Sequence, residues 1–123
     1  MTVSEAIARL DNRKFNTYSK DDKIGWLSAI DARVKKIMES HEGDDGIPFA
    51  AYRVDEDMHK ELLVQSPFDD LYIHYMEAQI DLGNGEGDGY NAAIILYNAL
   101  FNEFRGWYGR NHMPKSVARR FLF

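Results

Sequence analysis

Four glycines crowd the stretch Gly83-Asn84-Gly85-Glu86-Gly87-Asp88-Gly89, and a run this rich in glycine interrupts regular structure. On both sides the apolar residues recur at helical spacing. Leu71, Tyr72, Tyr75, Met76, Gln79 and Leu82 precede the break on one face, with Ile73 and Ile80 widening it. Tyr90, Ala93, Ile94, Tyr97, Phe101, Phe104 and Tyr108 follow it on another. Two long helical stripes joined by a short glycine loop fold back as an antiparallel hairpin. The second helix carries further apolar residues at Ile95, Leu96, Ala99 and Leu100. A helix apolar on more than one side is buried from two directions or packs against a neighbouring subunit.

Upstream, the same periodicity predicts two more helices. The first begins near Thr2 or Ser4, either of which can cap it, and places Val3, Ile7 and Leu10 on one face. Residues 13–18 then read as a loop. Ser19 opens a stronger helix, with Asp22 at capping-box spacing. Ile24, Leu27, Ile30, Val34, Ile37 and Met38 form its stripe with Trp26 at the edge, while Lys23, Asp31, Arg33, Lys35, Lys36 and Glu39 lie mostly off it. Gly43 is its natural stop.

The middle of the chain has a different pattern. Two apolar runs, Ile47 to Val54 and Leu62 to Val64, flank the polar stretch Asp55-Glu56-Asp57-Met58-His59-Lys60, and a short β-hairpin is expected there. Ser66-Pro67 then opens the third helix, Ser66 as cap and Pro67 at the first helical position. The fold is therefore read as mainly α: a small bundle of about four helices, one domain over residues 1–114, with an extended tail over 115–123.

That tail is the chain's oddity. Lys115, Val117, Arg119 and Arg120 lead into Phe121, Leu122 and Phe123, and each of the last three contributes roughly 1.5–3 kcal/mol if fully buried. Either the tail folds back on its own core, or it is an arm that docks on a partner and orders on binding. Arginines beside aromatics are common interface anchors, so these seven residues are the candidate partner-binding site.

The totals narrow the function classes. The 123 residues suggest one domain large enough to bury a core, and the net charge of −5 argues against broad nucleic-acid binding. The charge is uneven. Arg105, Arg110, Lys115, Arg119 and Arg120 face only Glu103 in the last segment, while Asp44, Asp45, Asp55, Glu56, Asp57, Asp69 and Asp70 crowd the middle. Such a bipolar chain suits assembly side to side or head to tail. There is no cysteine, hence no disulfide and no thiol nucleophile. No run approaches the roughly 18 apolar residues of a membrane span, and the opening residues do not read as a signal peptide.

No catalytic or cofactor signature emerges. His41-Glu42-Gly43-Asp44-Asp45 and Asp55 to His59 offer oxygen and imidazole ligands without a zinc spacing. The glycine loop fails the calcium pattern, with Gly83 at its third position and Ala92 where a bidentate Glu is needed. It links helices and does not follow a strand, so it is not a phosphate loop. The serines lack a nucleophile elbow, and His74 reads as a half-buried packing residue. No cofactor and no metal are expected, and the chain reads as one that binds other proteins.

Three stretches carry a resemblance: Asp22-Lys23-Ile24-Gly25-Trp26-Leu27-Ser28-Ala29-Ile30-Asp31 through Ser40-His41-Glu42; Leu62-Leu63-Val64-Gln65-Ser66-Pro67-Phe68-Asp69-Asp70-Leu71-Tyr72-Ile73-His74-Tyr75; and Tyr90-Asn91 through Tyr97-Asn98, then Arg110-Asn111-His112-Met113-Pro114. From about Ser19 to Pro114 the chain resembles the head–tail connector, or adaptor, proteins of tailed phages and prophages of Gram-positive hosts. The resemblance implies a structural virion protein: a helical bundle that binds the portal as a ring, a dodecamer, and extends the DNA channel in the neck. Its partners would be the portal, its own copies and the next tail-side connector or stopper. DNA would pass without sequence-specific binding, and no membrane would be involved. The C-terminal segment, here Lys115 to Phe123, would reach the portal. The glycines of Gly83 to Gly89 and the pair Gly106 and Gly109 depart from that pattern. The alternative is a small phage regulatory protein that binds a host target.

Overall fold

The computed structural model describes residues 1–43 and 46–112. Among them are four helices, α1 (Val3–Arg13), α2 (Lys20–Glu42), α3 (Asp70–Gly83) and α4 (Gly87–Asn111). The mainly helical bundle expected from the periodicity is the architecture found. Two of the three predicted caps are in place; Ser66 does not cap α3, whose N-cap is Asp69. Thr2 accepts the Glu5 N–H ahead of α1, and Ser19 accepts the Asp22 N–H ahead of α2, while Gly43 closes α2 at φ +90°. Each cap satisfies a donor that the helix itself leaves without a partner.

Side-chain pairs fix the helix directions. Lys23 at the start of α2 meets Asp11 near the end of α1 at 2.8 Å, so these two helices are antiparallel. Arg13 reaches Glu77 at 3.2 Å and Lys14 reaches Asp81 at 2.6 Å, so α1 and α3 run the same way. Arg33 donates to the Tyr97 hydroxyl at 3.3 Å, and Glu42 meets His112 at 3.5 Å, so α2 and α4 also share a direction. The bundle is thus up-down-up-down, with α3 packed on each of the other three or their side chains.

α3 is the central element. Leu71, Tyr72, Ile73, Met76, Ala78, Ile80 and Asp81 are all buried, on more than one side of the helix. A helix enclosed on several sides must be apolar nearly all round. Ile73 and Ile80, expected to widen the apolar face, are buried with it, whereas Leu82, placed on that face, is 56% exposed where the chain turns out of the bundle.

The middle forms no β-hairpin among the described residues. Its backbone groups pair with α1 instead. Lys60 and Met58 carbonyls accept the Val3 and Ser4 N–H groups at 3.0 and 2.9 Å, Leu62 N–H donates to the Met1 carbonyl, and Thr2 and Glu61 form an isolated antiparallel bridge. The segment therefore satisfies the first donors of α1 in place of a second strand. The polar stretch between the two apolar runs is a turn held by Asp57. Its carboxylate accepts the Arg53 N–H at 2.7 Å and meets Lys60 at 3.2 Å.

Pro67 is not the first helical residue either. Phe68 N–H donates back to the Gln65 carbonyl in a turn that sends the Phe68 ring towards Phe104, and α3 starts only at Asp70. Two charged residues read as lying off the α2 stripe are buried, Lys23 against Asp11 and Asp31 within a hydrogen-bond cluster.

Candidate interaction surface

α4 has an inner and an outer face. Inward, Ala93, Tyr97, Phe104 and Tyr108 are buried. Their rings form a ladder along the helix: Tyr75 to Tyr97 at 5.0 Å, Tyr97 to Phe101 at 5.6 Å, and Phe104 to Tyr108 at 5.8 Å between centroids. These tilted arrangements are the favourable geometry for aromatic pairs. The Arg33 guanidinium stands 5.7 Å from the Tyr75 ring centre and bonds Tyr97, tying α2 to this ladder.

Outward, Ile95 is 64% and Leu96 50% exposed, with exposed Ala92 and Ala99 one turn to either side. Positions 92, 95, 96 and 99 share one face of a helix. Leaving branched aliphatic side chains in water forfeits what their burial would contribute. The sequence had marked Ile95, Leu96 and Ala99 as apolar surface needing a second neighbour, and among the described residues no second neighbour covers Ile95 and Leu96.

The two ends of the bundle differ. At the glycine-turn end, Lys14 pairs with Asp81, and the residues next to them, Phe15 and Leu82, are 90% and 56% exposed. Sequence reasoning missed Phe15, because a single aromatic in a loop has no periodicity to flag it. At the opposite end, Met38, Leu63, Phe68, Phe104, Trp107 and His112 border a small apolar cavity of about 150 Å³. The His112 ring stacks on Tyr108 at 4.0 Å. Burial, and then the Glu42 carboxylate beside it, push the Tyr108 phenol up to about 12.

The chain matches no protein-family model, no curated protein and no solved structure. The surface must speak through its own geometry.

The candidate partner-binding residues Lys115, Val117, Arg119, Arg120, Phe121, Leu122 and Phe123 lie outside the described residues, as do Asp44 and Asp45. Of the acidic and imidazole groups weighed as metal ligands, Glu42 meets His112 and Asp57 holds its turn. No group of three or more His, Asp or Glu side chains among the described residues is placed to hold a metal ion. His74 is half-buried within α3.

Asp31 is a buried carboxylate at the centre of a hydrogen-bond cluster. It is fully buried, and its carboxylate accepts from the Tyr72 hydroxyl at 2.6 Å, from the Tyr52 hydroxyl, and from the Leu63 N–H at 3.1 Å. Burial raises its pKa against the opposing pull of those donors. A perturbed carboxylate in a cleft marks a functional site, but this one is sealed beneath residues 52–64. Its chemistry is that of a clamp: with Ser28, which accepts the Tyr52 N–H at 3.0 Å, it fixes the middle segment to α2. Among the described residues, no helix is long and apolar enough to cross a membrane.

Proposed function

We propose that the chain is a head–tail connector of a tailed phage, a structural virion protein that binds the portal as a ring and extends the DNA channel. The observation that carries this reading is the outer face of α4. A subunit of a ring needs an uncovered lateral surface, and among the described residues Ile95 and Leu96 supply an apolar one, on a helix whose opposite face packs on α3. The exposed Phe15 and Leu82 at one end, and the aromatic cavity at the other, give the bundle two distinct ends for a portal above and a stopper below. An acidic chain suits a channel through which DNA must slide without being gripped. The resemblance of residues from about Ser19 to Pro114 to that family points the same way.

Quantitative mass spectrometry of purified particles from the source host tests the reading. A copy number equal to that of the portal is expected. Intact tailed particles that lack the chain would end the connector reading and move the search to a host-cell target.

A further inference from the structure

Although Glu42 meets His112 and His41 packs on Tyr108 at their last turns, α2 and α4, which run side by side towards the same end of the bundle, do not close completely on each other. Between them lies a groove of about 600 Å³ bordered by Ile37, His41, Asn102, Arg105 and Arg110, with Gly106 and Gly109 at its floor. Among the described residues, no carboxylate lines it. Arg105 and Arg110 are exposed, and neither takes part in an ion pair among the described residues. The His41 Nδ1 is buried with no hydrogen-bond partner among the described residues.

The two glycines shape this floor. A methyl group on Gly106 would stand 3.3 Å from an Arg110 guanidinium nitrogen, and one on Gly109 would stand 3.4 Å from the His41 ring. Glycine inside a helix weakens it relative to alanine, yet here two occur within one turn of α4. Their effect is to leave room for a guanidinium and an imidazole close to the helix backbone, where both residues line the same open volume.

We propose that this groove binds the side-chain carboxylates of an acidic segment on a partner protein. A guanidinium presents a planar fork that matches a carboxylate with two parallel hydrogen bonds, and Arg105 and Arg110 place two such forks on one wall. Asn102 adds an amide donor, and the His41 ring lines the other wall. A nucleic acid fits less well. Tracking a phosphate backbone needs a continuous basic path, whereas Glu39 and Glu42 on α2 and Glu103 on α4 flank these cations along the chain, and the whole molecule carries −5. A discrete carboxylate can enter such a local inversion of charge where a polyanion is repelled. The inference stands apart from the connector reading: it holds whichever protein carries the acidic segment.

The test is a titration of the isotopically labelled full chain with a hexaglutamate peptide, followed by amide NMR. Saturable shifts centred on His41, Gly106 and Gly109 are expected, weakening as salt is raised. The double variant Arg105→Ala/Arg110→Ala should lose about tenfold or more in affinity while keeping its melting transition, since both side chains are exposed. Gly106→Ala should weaken the peptide's binding without weakening the fold, a separation that a purely structural glycine would not produce. The proposal is overturned by shifts scattered over the surface or never saturating, or by unchanged binding in the double variant. It is equally overturned if inorganic phosphate, or a single-stranded oligonucleotide of matched charge, binds as tightly as the peptide.

Discussion

The Tyr72 hydroxyl donates to the buried Asp31 carboxylate at 2.6 Å and at the same time accepts the Val64 N–H at 2.8 Å. One phenol thus links the central helix, α2 and the strandless middle segment. In Tyr72→Phe the ring still packs, but Asp31 loses a donor and the Val64 N–H loses its acceptor inside the protein. The expected cost is about 1–3 kcal/mol, read as a lower urea midpoint with an unchanged slope. A midpoint within error of the parent would show that water replaces the hydroxyl and that the clamp is dispensable.

The buried phenols also set an alkaline limit. Burial and the neighbouring Asp31 carboxylate hold Tyr72 and Tyr52 well above the usual tyrosine range, and Tyr108 is pushed up to about 12. The folded chain therefore keeps protons that the unfolded chain releases near pH 10. The stabilisation is complete at neutral pH and is lost as pH rises above about 10, continuing until the folded phenols themselves ionise. Thermal melts from about pH 8 to 11, with tyrosinate absorbance recorded alongside, should show the midpoint falling over that interval; a flat midpoint would contradict the burial of these groups.

The glycines divide into two kinds. A methyl on Gly83 would occupy the place of the Tyr18 hydroxyl, and one on Gly89 would stand 2.6 Å from Asp81 Oδ2, whose carboxylate Lys14 holds through Oδ1. Gly83→Ala and Gly89→Ala should each lose roughly 1–3 kcal/mol by overpacking. Gly106→Ala meets only the flexible end of Arg110 and should gain about 0.5–1 kcal/mol from helix propensity. Chemical denaturation of the three variants decides the matter, and equal effects at all three sites would refute the distinction.

On the outer face of α4, Ile95→Glu with Leu96→Glu should change the stability of the isolated chain by no more than about 0.5 kcal/mol, because neither side chain is part of the core. The same pair should prevent ring assembly on a purified portal, visible by electron microscopy or native mass spectrometry. Normal rings from the double variant would show that α4 does not form the lateral contact.

Removal of residues 117–123 should abolish portal binding and leave the helical fold intact, with circular dichroism and a cooperative melt unchanged. Loss of the cooperative transition would mean that Phe121, Leu122 and Phe123 belong to the core and that the docking arm is wrong.

What could be seen in the sequence was whatever depends on near neighbours. Thr2 and Ser19 were legible as caps because a cap bonds within its own first turn. The α3–α4 hairpin was legible because the break and both stripes are contiguous. The roles of Lys23 and Asp31 were not, since their partners lie 12 to 41 residues away and nothing local distinguishes a paired interior charge from a solvated one. The run around Leu62 and Val64 reads as a strand because it is short and apolar, but its N–H groups donate to the Met1 carbonyl and the Tyr72 hydroxyl, and the α1 donors Val3 and Ser4 go to Lys60 and Met58. Ile95 and Leu96 were visible as a second apolar face. The groove was not: Arg105, Arg110 and the paired glycines could be read along α4, while His41 reaches them only through the fold.

The position of α4 at the edge of the bundle has a consequence for how the molecule breathes. α3 is enclosed by neighbours, whereas α4 rests chiefly on α3 and is hinged at a glycine turn whose Gly85 sits at φ +74°. Amide hydrogens in α3 should exchange only through global unfolding, and those of α4 through a smaller opening that leaves α1, α2 and α3 assembled. The helix that presents the outer face would then be the one the fold protects least, and covering that face would slow its exchange most.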